Sequence, residues 1–329
     1  MTLVRILIAI ALSVVLLYFA RTNSMGRPEF FSHTENGYTF EMTSVPKAFE
    51  GGRVRIPIKI TGPIQPDLNL LFRSSKYGQN ETTDVVHYGS LPLFVKDSAA
   101  GHYYADVATG RKGLKLYYYF EIRDKTGGCR ARFMHPEGKP FVLKYIGQVP
   151  QFVLIGHITM MAVTVFFATL GFLNAIPLVR GKMNARPLSV CFFLATIAAL
   201  VGGYVFGVAM NHYAFGTVWE GVPFGTDVTD NKTQNLFVYM LYMFLISIGS
   251  FSKGKVGHDL YPPRVLGWFG LAAFVFMLAV YLIPHSIRFS PSLTETVSYS
   301  FIGMVVLLYG FGWFRTLKMA NETTRTSED

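Results

Sequence analysis

Three of the eight histidines fall near the ends of apolar runs: His157 in "PQFVLIGHITMM", His212 in "GGYVFGVAMNHY" and His285 in "VYLIPHS". Imidazole binds haem iron, copper or zinc through a ring nitrogen. An ionisable group in or near hydrocarbon is costly without a partner or a task. Two helices that each supply one histidine can clamp a b-type haem, so His157 and His212 are the candidate cofactor ligands, with His285 as a further metal candidate. Met160 and Met161 follow His157 by three and four residues and share its helical face. Met210 precedes His212 by two. Thioether sulfur with imidazole is a copper(I) donor set, which makes Met161 a metal candidate and copper the alternative to haem b. Two plainer readings stay open. The histidines face water at the headgroup level and no cofactor is bound, or the methionines only pack. His33, His87, His102 and His135 are dispersed without metal-ligand spacing, and His258 stands beside Asp259.

The stretch "NHYAFGTVWEGVPFGTDVTDNKTQ", residues 211–234, follows His212 and is long for a connector. Gly216, Gly221 and Gly225 with Pro223 predict tight turns and a compact loop. Trp219 and Phe224 suit an aromatic belt at a membrane interface. Glu220 is a candidate to orient His212 or to accept a proton at a quinone pocket. Asp227, Asp230 and Asn231 offer hard oxygens, but the EF-hand pattern is absent. Their simpler use is to cap a helix expected from about Gln234. No nucleophile elbow, P-loop, dinucleotide fingerprint or zincin motif occurs, so whether the chain is an enzyme stays open. The two cysteines, Cys129 and Cys191, form no CxxC or CxxCH, which removes c-type haem attachment and thioredoxin-like chemistry.

The elements that must position these residues are apolar. Of 329 residues, 51% are hydrophobic and 15% charged, against about 25% charged in soluble domains. Mean hydropathy is +0.33. Residues 4–20 form an apolar run behind Arg5, so residues 1–22 read as a signal peptide or, with no good small-x-small cleavage site, an uncleaved anchor. Five further runs, at about 151–178, 188–210, 235–251, 265–284 and 296–314, approach the roughly 20 residues a bilayer requires. Arg180, Lys182 and Arg186, then Lys253, Lys255 and Arg264, then Arg315 and Lys318 occupy alternate connections. The positive-inside rule therefore predicts a multi-pass membrane protein with both termini inside and residues 35–147 outside. The net charge of +10 follows the same bias; its spread over loops excludes a nucleic-acid partner. The cores of the five runs hold no Asp, Glu, Lys or Arg, which argues against a proton-coupled transporter. Asn174 reads as an interhelical hydrogen-bonding residue. Residues 316–329 are expected to be a disordered cytoplasmic tail.

Residues 35–147 change character. "YTFEM", "RVRIPIKI", "NLLFR", "HYYADV", "LKLYYYFEIRD" and "PFVLKYIG" are β-branched or aromatic runs between Gly, Pro, Asn and Asp breaks, the pattern of a β-sandwich. The ending "GLKLYYYFEIRDKTGG" followed by "PEGKPFVLKYIG" resembles the last strands of bacterial immunoglobulin-like or fibronectin type III-like domains. That resemblance implies an Ig-like fold and an adhesive or docking role, and supplies no catalytic residue. It alone implies that the membrane is a bacterial inner membrane.

The expected architecture is an exported all-β sandwich followed by a transmembrane bundle: an N-terminal anchor or signal peptide plus five helices spanning 151–315. The expected function is an electron-transfer subunit with a b-type haem near the outer leaflet, capped by the Trp219–Glu220 loop. Its β-domain would dock an exported or membrane redox partner. The alternative is a non-catalytic membrane scaffold or sensor whose β-domain binds a protein or glycan.

Overall fold

The computed structural model describes residues 2–24, 28–65, 67–77, 89–97, 100–253, 259–283 and 289–325. The chain forms two compact units. One comprises Met1–Met25, Gln151–Met210 and Val218–Asp329; the other comprises Gly26–Pro150 and Asn211–Thr217.

The second unit is a pair of sheets. Its strands are β1 (Phe30–Glu35), β2 (Tyr38–Thr43), β3 (Lys47–Phe49), β4 (Arg53–Thr61), β5 (Asn69–Tyr77), β6 (Gly89–Pro92), β7 (Phe94–Asp97), β8 (His102–Ala108), β9 (Lys115–Arg123), β10 (Cys129–Phe133) and β11 (Phe141–Ile146). The first sheet runs β1-β2-β4-β8-β7; the second runs β3-β11-β9-β5-β6, with β10 also paired to β9. Alternation sends every second side chain inward. Ile56, Ile58 and Ile60 of β4 therefore meet Leu116, Tyr118, Phe120 and Ile122 of β9 in one core. Phe40 of the first sheet stacks on Phe133 of the second at 5.4 Å, which ties the two layers together. All six runs expected as strands are strands. The strands not expected from sequence include β6 and β7, whose side chains are exposed throughout, so no buried face marks them.

The first unit is helical. Its helices are α1 (Thr2–Ser24), α2 (Gln151–Val179), α3 (Arg186–Ala199), a π-helical segment (Leu200–Phe206), the start of α4 (Gly207–Phe215, whose residues from Asn211 on belong to the other unit), α5 (Val228–Ile246), α6 (Ile248–Lys253), α7 (Pro263–Leu282) and α8 (Pro291–Arg325). Among the described residues, five helices are long and apolar enough to cross a membrane: Leu3–Thr22, Gln151–Val179, Arg186–Phe215, Pro263–Leu282 and Pro291–Lys318. The expectation was an N-terminal run plus five. The difference is α5, formed by the 235–251 run. Its helix begins at Val228, earlier than Gln234, and so takes in Asp230, Asn231 and Lys232 as buried residues. Its first two turns are polar, and it is enclosed by α3, α7, α8 and the π-helical segment. It ends at Ser247, whose hydroxyl bonds back to Met243 O at 2.7 Å. The tail also differs: α8 continues to Arg325, so residues 316–325 are helical. Asn174 does bridge helices, accepting from Arg5 Nη1 of α1 at 2.7 Å and donating to Cys191 Sγ of α3 at 3.5 Å.

Candidate functional site

His157 sits in the second turn of α2, and its Nδ1 lies 2.8 Å from the carbonyl oxygen of Gly202. A carbonyl can only accept, so Nδ1 carries the proton and Nε2 is the remaining nitrogen. Gly202 lies in the π-helical segment, a geometry frequent at functional sites. Gly202 and Gly203 of "GGYVFG" allow close approach to neighbouring helices. A Cβ on Gly202 would stand 2.9 Å from Met160 Cβ and 3.1 Å from Met161 Sδ, and one on Gly203 would stand 2.6 Å from Thr233 Cγ2. On the facing helix, a Cβ on Gly156 would meet the Phe206 ring at 2.5 Å. Met160 and Met161 thus pack against Gly202, whose carbonyl meets His157, and Phe206 packs against Gly156. Met161 packs over Gly202, and its backbone carbonyl accepts from Tyr281 Oη at 3.1 Å.

His212 belongs to the other unit. It is exposed in the last turn of α4, its ring edge-on to Tyr213 at 5.6 Å. Its backbone carbonyl accepts from Lys112 Nζ at 2.9 Å, and Gly147 N donates to Ala214 O at 2.8 Å. The two histidines expected to share a haem therefore fall in separate units. His285 lies outside the described residues, as do His87 and His258. Among the described residues no group of three or more His, Cys, Asp or Glu is arranged to hold a metal ion.

The 218–227 loop is compact, and its acids build it. Asp227 caps α5, its Oδ1 accepting from Thr229 N at 2.8 Å and Asp230 N at 3.0 Å. Asp230 reaches back to accept from Glu220 N at 2.7 Å, and Asn231 Oδ1 accepts from Val222 N at 3.0 Å. Asp227 N closes the loop onto Glu220 O at 2.8 Å. Trp219 stacks on Tyr204 of the π-helical segment, rings 5.0 Å apart and 12° from parallel. Phe224, at the turn, is 82% exposed.

Behind this loop α5 turns a polar face into the helical unit. Lys232, Asn235, Tyr239 and Tyr242 recur at intervals of three and four, one face of a helix, and all four are buried. Lys232 Nζ donates to Ile283 O, just past α7, at 2.7 Å. Asn235 Nδ2 donates to Ser298 Oγ of α8 at 3.3 Å, and Tyr239 Oη to Phe269 O of α7 at 3.4 Å. The spacing was visible in the sequence. The expected start at Gln234 left its first residue out.

A second cluster, missed by sequence reading, lies on the β-unit. Core residues Leu116, Tyr118, Phe120 and Ile122 of β9 alternate with Tyr119, Glu121 and Arg123 on the opposite face. The Glu121 side chain is fully enclosed there, held by arginines from three strands. Arg123 Nε of β9 is at 2.9 Å, Arg132 Nη2 of β10 at 2.8 Å and Arg73 Nε of β5 at 3.6 Å. Arg132 also lies 5.2 Å above the Tyr119 ring. Burial pushes the Glu121 carboxyl up, but hydrogen bonds and charge from Arg123 and Arg132 outweigh it and hold the group below the usual carboxylate range. Nearby, desolvation and then the Glu121 charge push the Cys129 thiol up, away from the thiolate a nucleophile needs. Only the pairing of Leu71 and Arg132 opposite Glu121 brings these side chains together. Compared with known proteins, the chain matches no family model and no curated protein.

Proposed function

We infer that this is a multi-pass protein of a bacterial inner membrane that holds an exported, Ig-like β-domain for docking a protein partner. The observation that carries this reading is the arginine face built on Glu121. Three guanidinium groups surround one carboxylate, so the cluster keeps an excess of two positive charges on a rigid sheet beside Tyr119. The arginine side chains are 23%, 32% and 46% exposed for Arg73, Arg123 and Arg132, which leaves donor edges open to a partner. Arg and Tyr dominate binding hot spots, and a side chain already held in place loses less freedom on binding. The partner that fits is a protein with an acidic patch. The five apolar helices support the membrane assignment, and the basic residues in alternate connections of the six apolar runs, with α5 counted as a crossing, support the orientation.

The test is co-purification of the full chain from its native membranes, wild type against Arg73→Gln/Arg132→Gln. A stoichiometric acidic partner, lost in the double variant, is the expected result. A partner retained by the variant, or a lone monodisperse chain, overturns the reading.

The electron-transfer reading retains one support. The Nδ1–Gly202 bond fixes the His157 tautomer and leaves Nε2 as the ligating nitrogen, the arrangement seen in metal-bound histidines. An absorption spectrum with metal analysis of protein expressed with haem and copper supplied decides it. A Soret band or copper content lost in His157→Ala would carry it, and colourless, metal-free folded protein would end it.

A further inference from the structure

Outside α5, the buried polar groups of the helical unit include Ser189 Oγ of α3, which donates to Ser247 O at 2.8 Å, Ser13 Oγ of α1, which has no partner, and hydroxyls satisfied at home. Thr164, Thr169 and Thr196 each return a hydroxyl to the carbonyl four residues back, at 3.0, 2.7 and 2.7 Å, and are satisfied within their own helix. The face of α5 is different. Its groups reach to other elements, Tyr242 Oη facing the Tyr261 hydroxyl, and Asn235 Oδ1 is buried without a hydrogen-bond partner. Asn235 is 6% and Tyr242 2% exposed. In folded proteins such atoms are met by ordered water, which needs polar neighbours to hold it.

Those neighbours form a line. From Lys232 through Asn235 and Tyr239 to Tyr242 the face advances about 15 Å at 1.5 Å per residue. It then continues onto the next segment. Tyr242 and Tyr261 both pack edge-on against Phe269, at 5.6 and 5.2 Å, and Tyr261 Oη donates to Leu308 O at 2.5 Å. Beyond the end of α5, Asp259 is buried and accepts from Ser250 N at 2.7 Å and Ser250 Oγ at 2.6 Å. An ammonium thus stands at one end and a carboxylate at the other. Between them lie three phenols, Tyr239, Tyr242 and Tyr261, and the Asn235 amide hydrogen-bonded to Ser298, with Asp227 and Asp230 at the start of α5, the lysine end. A phenol both donates and accepts, so it can take a proton from one neighbour and pass its own to the next. Ionisable and polar groups that face a bundle interior are the usual markers of such paths.

We propose that the polar face of α5 is a hydrated file that conducts protons along the helical unit between the Lys232 and Asp259 ends. Each step moves one proton along a hydrogen bond from water or hydroxyl to the next acceptor. No electron is transferred, and the driving force is a proton gradient or voltage. The proposal rests on the membrane placement above, and is independent of the docking role of the β-unit.

The test uses the full chain in liposomes, with insertion checked first by flotation and alkaline extraction. Proton flux is read from an entrapped pH dye after a pH jump, with valinomycin and potassium to balance charge. Wild type is expected to dissipate the gradient at least ten-fold faster than empty vesicles. Tyr242→Phe and Asn235→Leu are expected to lose most of that flux, while Thr169→Ala keeps it. Inserted wild type no faster than empty vesicles overturns the proposal. So does flux unchanged in Tyr242→Phe, or flux carried by sodium rather than protons. Failure to insert overturns the membrane placement instead and, with it, the file.

Discussion

The two units bury charge in opposite ways. In the β-unit, Glu121 is surrounded by side chains of opposite charge that strand register delivers from β5, β9 and β10. In the helical unit, Lys232 is capped by a backbone carbonyl, Ile283 O, and Asp230 and Asp259 accept backbone N–H groups. A sheet faces its neighbours with side chains, so a buried acid there is matched by long cations. Helix ends expose orphan N–H and C=O groups, so a buried charge in a bundle can be matched largely by main chain, with the Ser250 hydroxyl added at Asp259. The first arrangement leaves charge on the surface. The second holds it inside.

Breaking the side-chain solution should have the largest effect. Glu121→Ala leaves three guanidinium groups crowded on one patch. Removing one partner of a buried ion pair costs about 3–5 kcal/mol, and the partial exposure of the arginines puts this case near the lower end. Chemical denaturation of the full chain, followed by the tyrosine-rich β-unit, should show it. The same group gives the β-unit a pH dependence. Its folded-state carboxyl lies below the usual range, so its stabilisation is full above the unfolded pKa and is lost as pH falls through the folded one. Acid melting of wild type should therefore flatten in Glu121→Gln. A parallel pair of melting curves would show that the cluster contributes nothing.

The next effect sharpens the helical side. Gly202→Val places a side chain against Met160 and Met161, and overpacking costs about 1–3 kcal/mol. It should lower the detergent melting temperature without touching the β-unit. Asp227→Ala removes the cap of α5 and should cost ~1 kcal/mol, with Asp227→Asn close to neutral. Phe224→Ser should be smallest, within about 0.5 kcal/mol in detergent, because the ring is exposed. A large loss there would show that the loop, and not only the helices, is packed against something.

What the sequence revealed follows from how local each signal is. Asp227 as a cap, the six main strands and the small residues of "GGYVFG" are all set by neighbours within a few positions, and each was readable. Glu121 was not, because "YYYFEIRD" looks like ordinary alternation and its partners lie about fifty residues upstream and ten downstream. The π-helical segment has no distinct composition, so the carbonyl that His157 meets could not be anticipated. His157 and His212 lie at the ends of consecutive apolar runs, but the end of α4 belongs to the β-unit. Apolarity identified the 235–251 run but not the start of its helix at Val228, where Asp230, Asn231 and Lys232 are buried.

The seven residues from Asn211 to Thr217 complete the β-unit although they follow α2, α3 and the π-helical segment in the chain. Gly147 N finds Ala214 O, and Lys112 Nζ finds His212 O, only after that whole stretch has been made. During synthesis from the N-terminus, the sheets can assemble early, but their last contacts must wait for two hydrophobic segments to leave the ribosome. A stop codon placed after Pro150 would therefore release sheets that lack their final clasp. The same chain extended to Thr217 would carry it.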